Sequence, residues 1–206
     1  VLLVLSIPLI LVLLFLNLLS FSFGELGLSP DTALLLIVVM LIGSLINIPL
    51  TRHRVAQVRP SGFRGLFGPQ PRVYTGVAVN LGGAIVPLCL SLYLGTIMPS
   101  LWQVFVATAV MALVTRATAR LIPGRGIVVP MFIPPILSAL LAVFLAREFA
   151  APVAYIAGTM GTLIGADILN LHRIRRFEGM VSIGGAGLFD GIFLVGIVAV
   201  FLTALV

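Results

Sequence analysis

Two aspartates stand where carboxylates are rarely tolerated. Asp167 falls in an apolar run over residues 151–171, and Asp190 falls in a second run over 183–206. A short basic stretch with Arg173, Arg175 and Arg176 joins the two runs. The other acids, Glu25, Asp31, Glu148 and Glu178, lie in predicted loops or at segment ends. A carboxylate inside a bilayer costs about 3 kcal/mol on insertion scales, so it marks a functional site by default. Two carboxylates a few ångströms apart do not both ionise freely; they hold one proton between them. The ionised member can take a proton from water while the protonated member polarises a carbonyl, which is the chemistry of peptide hydrolysis. A proton-coupled transporter or channel could use the same shared proton. A structural reading also stays open, in which each acid bonds to backbone or pairs with Arg173 or Arg176. None of these readings requires a metal or cofactor.

The elements that must position the acids follow from composition. The chain has 206 residues, 61% hydrophobic and 9% charged, with a mean hydropathy of +1.27. Soluble domains carry about 25% charged residues, so the chain is read as a membrane protein. All 12 basic residues are arginines, and the formal charge is +6. They cluster in short loops between apolar runs, which points to anionic lipid headgroups and away from nucleic acid. Cys89 is the single cysteine, so no intrachain disulfide forms. His53 and His172 are dispersed and make a poor metal site.

Seven apolar segments are expected, over residues 1–19, 32–50, 75–97, 101–122, 127–146, 151–171 and 183–206, forming one integral membrane domain. Each suits a bilayer core of about 30 Å, and each is expected to be helical because no backbone group stays unpaired in lipid. The first segment lacks a basic start and a small-residue cleavage site, so it is read as a retained helix. The loops after segments two, four and six hold 11 of the 12 arginines, counting Arg116 and Arg120 at the end of segment four. Those loops share one side if all seven segments span. The positive-inside rule makes that side, and the N-terminus, cytoplasmic. The expected fold is therefore an all-α polytopic bundle of about seven transmembrane helices.

Several smaller features belong to the candidate site. Gly158, Gly161 and Gly165 recur at helical spacing, and Gly187 and Gly191 lie four apart. Such faces let membrane helices approach closely, here segments six and seven. Gly184, Gly185 and Gly187 are expected to loosen the start of segment seven and admit water or an extended chain to Asp190. Asn80, before Gly82-Gly83, reads either as a hydrogen-bonded packing kink or as part of a broken helix lining the site. Pro134 and Pro135 read either as a kink or as a segment that gates or pairs with substrate.

The sequence around the acids, GADILN followed by GAGLFDGIFLVG, resembles the paired helices of the GxGD-type intramembrane aspartyl proteases. These are the presenilin, signal-peptide-peptidase and prepilin-peptidase group. The resemblance spans about 40 residues. It implies that Asp167 and Asp190 are the catalytic pair, that Gly187 belongs to the glycine motif before the second acid, and that the substrate is a membrane-spanning or membrane-adjacent peptide. Gly187-Leu188-Phe189-Asp190 departs from a strict Gly-x-Gly-Asp. The proline motif expected after the second acid has its nearest counterpart earlier, in Pro134-Pro135-Ile136-Leu137. The chain as a whole resembles an uncharacterised family of prokaryotic multipass membrane proteins, which implies a place in the plasma membrane and no particular chemistry.

Overall fold

The computed structural model describes residues 2–54, 74–122, 126–174, 180–184 and 191–206. The described chain is mostly helical. Its longer helices are α1 (Leu2–Glu25), α2 (Pro30–Gly43), α3 (Val86–Ile97), α4 (Trp102–Thr118), α5 (Ile133–Leu145), α6 (Ala150–Thr162) and α7 (Gly191–Thr203). A π turn, Leu81–Ile85, leads into α3. Beyond α6 the helical path continues through a second π turn, Leu163–Asp167, a 3-10 turn, Ile168–Asn170, and a last turn, Leu171–Ile174. Local chemistry sets some of these ends. Gly27 adopts φ +77° and closes α1, with Leu28 N–H donating to the Phe23 carbonyl. Ser29 caps α2 by accepting from the Thr32 amide, and Pro30 occupies the first turn.

Each expected segment contains one of these helices, and the described chain is mostly helical as expected, with strands added among the described residues. Five strands flank them: β1 (Asn47–Arg54), β2 (Tyr74–Asn80), β3 (Arg120–Ile122), β4 (Gly126–Val128) and β5 (Met180–Ile183). β1, β2 and β5 form one sheet in that order, and β3 and β4 form a hairpin. The segments over 32–50, 75–97, 101–122, 127–146 and 183–206 therefore yield shorter helices. Their apolar runs continue into strands, which hydrophobicity alone does not distinguish from helix. All five strands belong to the three arginine-bearing connections, so they gather at one end of the helices. β1 and β2 are antiparallel, with an irregularity between Pro49 and Thr51. There the Thr51 hydroxyl accepts from the Val77 amide at 3.1 Å. β2 and β5 are parallel, Val77 opposite Val181 and Val79 opposite Ile183.

A polar junction ties this sheet to the helices. Asn80 is fully buried. Its amide donates to the Ser44 carbonyl at 2.8 Å and to Asn47 Oδ1 at 3.1 Å. Its own Oδ1 accepts from the Gly83 amide at 2.8 Å, which caps the helix entrance to α3. The Ser182 hydroxyl on β5 donates to the same Asn47 oxygen. The end of α2, three strands and the start of α3 thus meet on three side chains. Asn80 acts here as a cap and a bridge, not as a kink inside a longer helix.

α6 is the most enclosed helix. Val153, Ala154, Tyr155 and Ala157 have no exposed surface. A Cβ on Gly161 would collide with Met111 of α4, and one on Gly165 with the Thr115 hydroxyl and the Ala112 carbonyl. The order of these contacts makes α4 and α6 parallel. Gly158 meets Val195 of α7 and Ser138 of α5, while Gly196 of α7 meets Tyr155 and Thr159. Together with the cluster that joins Leu163, just past the end of α6, to Ile192, at the start of α7, those contacts make α6 and α7 antiparallel. The expectation that all three α6 glycines serve the α6–α7 seam is thus corrected: Gly158 does, whereas Gly161 and Gly165 admit α4. Two helical stretches, Ser6–Glu25 and Arg147–Asn170, are long and apolar enough to cross a bilayer.

Gly165→Ala should lower stability by about 1–3 kcal/mol, because its methyl group meets backbone. Gly95→Ala, whose Cβ would meet nothing within 4 Å, should raise stability by up to about 1 kcal/mol through helix propensity. Asn80→Ala should cost about 2–4 kcal/mol, since it removes a cap and strands a buried carbonyl. Thermal unfolding of the three variants in detergent measures all three effects.

Candidate functional site

Asp167 ends the π turn that follows α6 and is half-buried. The turn has local causes. The Asn170 amide donates to both the Gly165 and the Ala166 carbonyls at 3.0 Å. It thereby satisfies acceptors that a wider turn leaves without helical partners. From the neighbouring helix, the Thr115 hydroxyl lies 2.9 Å from the Gly161 carbonyl and 2.8 Å from the Met111 carbonyl. π turns inside longer helices recur at functional sites because they re-aim one side chain. Asn170 is thus the clamp on the turn that carries Asp167. His172 is exposed beyond it.

The second acid, Asp190, lies outside the described residues, as do Gly187 and Arg176. The helix that follows Asp190 is described from Gly191 onward. Ile192, in its first turn, is 1% exposed and shares a small apolar cluster with Leu163, Val77, Ala84 and Ile183. Ile127 of β4 packs against the same cluster. The first turn of α7, the π turn of α6 and the sheet are thus held together at the strand-bearing end. The pairings of Gly158 with Val195 and of Gly196 with Tyr155 and Thr159 extend in antiparallel register to bring Gly191 level with Thr162. That level is about 7 Å along the axis from Asp167.

Gly184 adopts φ +69° and sits against Gly83 and Ala84, where a Cβ would overlap backbone. The chain leaving β5 is thereby pressed against the helix entrance that Asn80 caps. Sequence reasoning passed over Asn47 and Ser182, which complete this contact. A signal was present: Val79-Asn80-Leu81-Gly82-Gly83-Ala84 is echoed by Val181-Ser182-Ile183-Gly184-Gly185-Ala186. The two similar stretches begin in the parallel strands β2 and β5.

Pro134 and Pro135 are buried in the first turn of α5. The expectation of a kink is corrected: proline is accommodated at a helix start, where its missing N–H leaves no bond unmade. The Ser138 hydroxyl donates to their carbonyls at 2.9 and 3.1 Å. Both prolines follow β4 and so lie at the strand-bearing end. Among the described residues, no three His, Cys, Asp or Glu side chains gather in a way that could hold a metal ion.

Comparison with known proteins gives one result. A family model described as "Protein of unknown function (DUF1614)" matches residues 41–202. No curated protein matches the chain, and no solved structure does. That match takes in every helix except α1 and the first part of α2, together with the whole sheet and both aspartates, and the chain belongs to the DUF1614 family.

Proposed function

We propose that this protein is a multi-pass enzyme of a prokaryotic plasma membrane that hydrolyses a peptide bond in or near the bilayer. Asp167 and Asp190 form its catalytic pair. The observation that carries the reading is the cluster joining Leu163, in the turn that ends at Asp167, to Ile192, two residues after Asp190. Asp167 and the helix that Asp190 leads into therefore share one end of one seam. In this reading the two carboxylates hold one proton. One takes a proton from water as the water attacks, and the other hydrogen-bonds the peptide carbonyl; the pair titrates as a unit, with no fixed division of roles.

The bundle supports a bilayer setting. Leu14, Leu34, Phe105, Leu140 and Phe144 each expose more than half of their surface, as side chains facing lipid do. Arg116 and Arg120 are exposed where α4 ends, within snorkelling reach of headgroups. An extended substrate needs main-chain partners. β1 and β5 are the outer strands of the three-stranded sheet, and an added strand could pair with either. β5 is the nearer of the two to Asp190 in sequence. The resemblance of GADILN and GAGLFDGIFLVG to the GxGD-type proteases is consistent with the same reading.

Purified protein in proteoliposomes with a reporter transmembrane peptide tests the reading. Cleavage should be abolished in Asp167→Asn and in Asp190→Asn, with helical content unchanged and unfolding free energy within about 1 kcal/mol of wild type. Proton-driven solute uptake that needs both aspartates, without cleavage, would replace the peptidase reading with the transporter.

A further inference from the structure

Among the described residues, four buried hydroxyls have a backbone partner, while that of Thr108 on α4 has none. Ser91, Thr115 and Ser138 each donate to the carbonyl four residues earlier, and Ser22 of α1 donates to the Ile197 carbonyl. Three on α6 differ. Tyr155, Thr159 and Thr162 are 0%, 0% and 2% exposed, and none of their hydroxyls has a hydrogen-bond partner among the described residues. The Tyr155 and Thr159 hydroxyls lie near each other without reaching hydrogen-bond geometry. Each such group costs about 1–3 kcal/mol if left unserved, so the set calls for an occupant or a use.

Their placement indicates which. Spacings of four and three put the three hydroxyls on one face of α6. That face meets α7, because Gly196 packs on Tyr155 and Thr159. A π turn makes i→i+5 bonds and so turns less per residue than an α-helix, which leaves residues five apart less offset around the axis. The turn at Leu163–Asp167 therefore brings Asp167 toward the line below Thr162, where a regular helix would carry it aside. Cβ atoms one turn apart are separated by about 5–6 Å. The Tyr155 and Thr159 hydroxyls are near enough to meet directly after a small rotation, and one water can join hydroxyls that do not touch. A hydroxyl both donates and accepts.

We propose that Tyr155, Thr159 and Thr162, with water joining the hydroxyls that do not touch, form a proton path along the α6–α7 seam that ends at Asp167. Each hydroxyl oxygen accepts a proton as it releases its own, so one proton leaves the file for each that enters. No group is consumed. The path rests on the membrane-spanning reading above and on Asp167, not on peptide hydrolysis.

The full chain is reconstituted in vesicles holding a pH-sensitive dye, with membrane potential clamped by potassium and valinomycin, and an external pH step is applied. Wild-type vesicles should equilibrate faster than protein-free vesicles. The Thr159→Val/Thr162→Val double variant keeps the side-chain shapes and should fall to the protein-free rate. Thr159→Ser, which keeps a hydroxyl, should conduct like wild type. Tyr155→Phe supplies an independent loss if the double variant does not fold. Wild-type vesicles no faster than protein-free ones, or hydroxyl-less variants as fast as wild type, would overturn the path. Reporter cleavage is scored on the same preparations. Conduction without cleavage removes the peptidase and keeps the path; cleavage without conduction does the reverse.

Discussion

Helix α6 packs as it does because it lacks side chains where its neighbours press hardest. At Gly161 the Met111 Cβ of α4, and at Gly165 the Thr115 hydroxyl and the Ala112 carbonyl, occupy the space a Cβ would need. Gly158 meets Val195 of α7, and Gly196 of α7 packs on Thr159 and Tyr155. In a bilayer, where there is no hydrophobic drive for helices to associate, close van der Waals contact and interhelical hydrogen bonds would hold them. The Thr115 hydroxyl reaching the Gly161 carbonyl is one such bond. Everything at the strand-bearing end depends on this contact, because it sets the height at which the turn carrying Asp167 meets the first turn of α7.

The sheet performs a second task. Irregular backbone at the end of an apolar bundle must find partners. Here β1, β2 and β5 serve one another, and Asn47, Asn80 and Ser182 finish the corners where strand becomes helix. Buried polar contacts of this kind rigidify a site when every member is satisfied. The small cluster of Val77, Ala84, Leu163, Ile183 and Ile192 lies beneath them. Two layers, one polar and one apolar, thus fix the same junction.

Much of the architecture was legible in the residues. Seven apolar runs separated by arginine-bearing or Gly/Pro-containing stretches correspond to seven helices, and an aspartate deep in such a run was already conspicuous. The strands were not legible, because residues 47–50 and 75–80 read as continuations of neighbouring apolar runs. What makes β2 a strand is its pairing with residues far away in sequence. The π turn was hidden for a similar reason: it depends on Asn170 holding two carbonyls and on Thr115 from another helix. Pro134 and Pro135 were read as internal because Ile127 and Val128, in β4, lengthened the apparent helix. Asn80 stood out as a polar residue before two glycines, whereas Asn47 and Ser182 look ordinary until the strands align. Asp190 and Gly187 lie outside the described residues, so half of the proposed pair is read from sequence and from the helix that follows.

The parallel pairing of β2 with β5 has a consequence for biosynthesis. Strand 74–80 leaves the ribosome long before strand 180–183, with four helices made in between. Closing so long a loop is slow, and nothing rewards it until both partners exist. The helices made in between must therefore wait for residues 180–183 before this end of the described fold can close. The junction beside Asp167 is thus one of the later parts of the fold to be assembled.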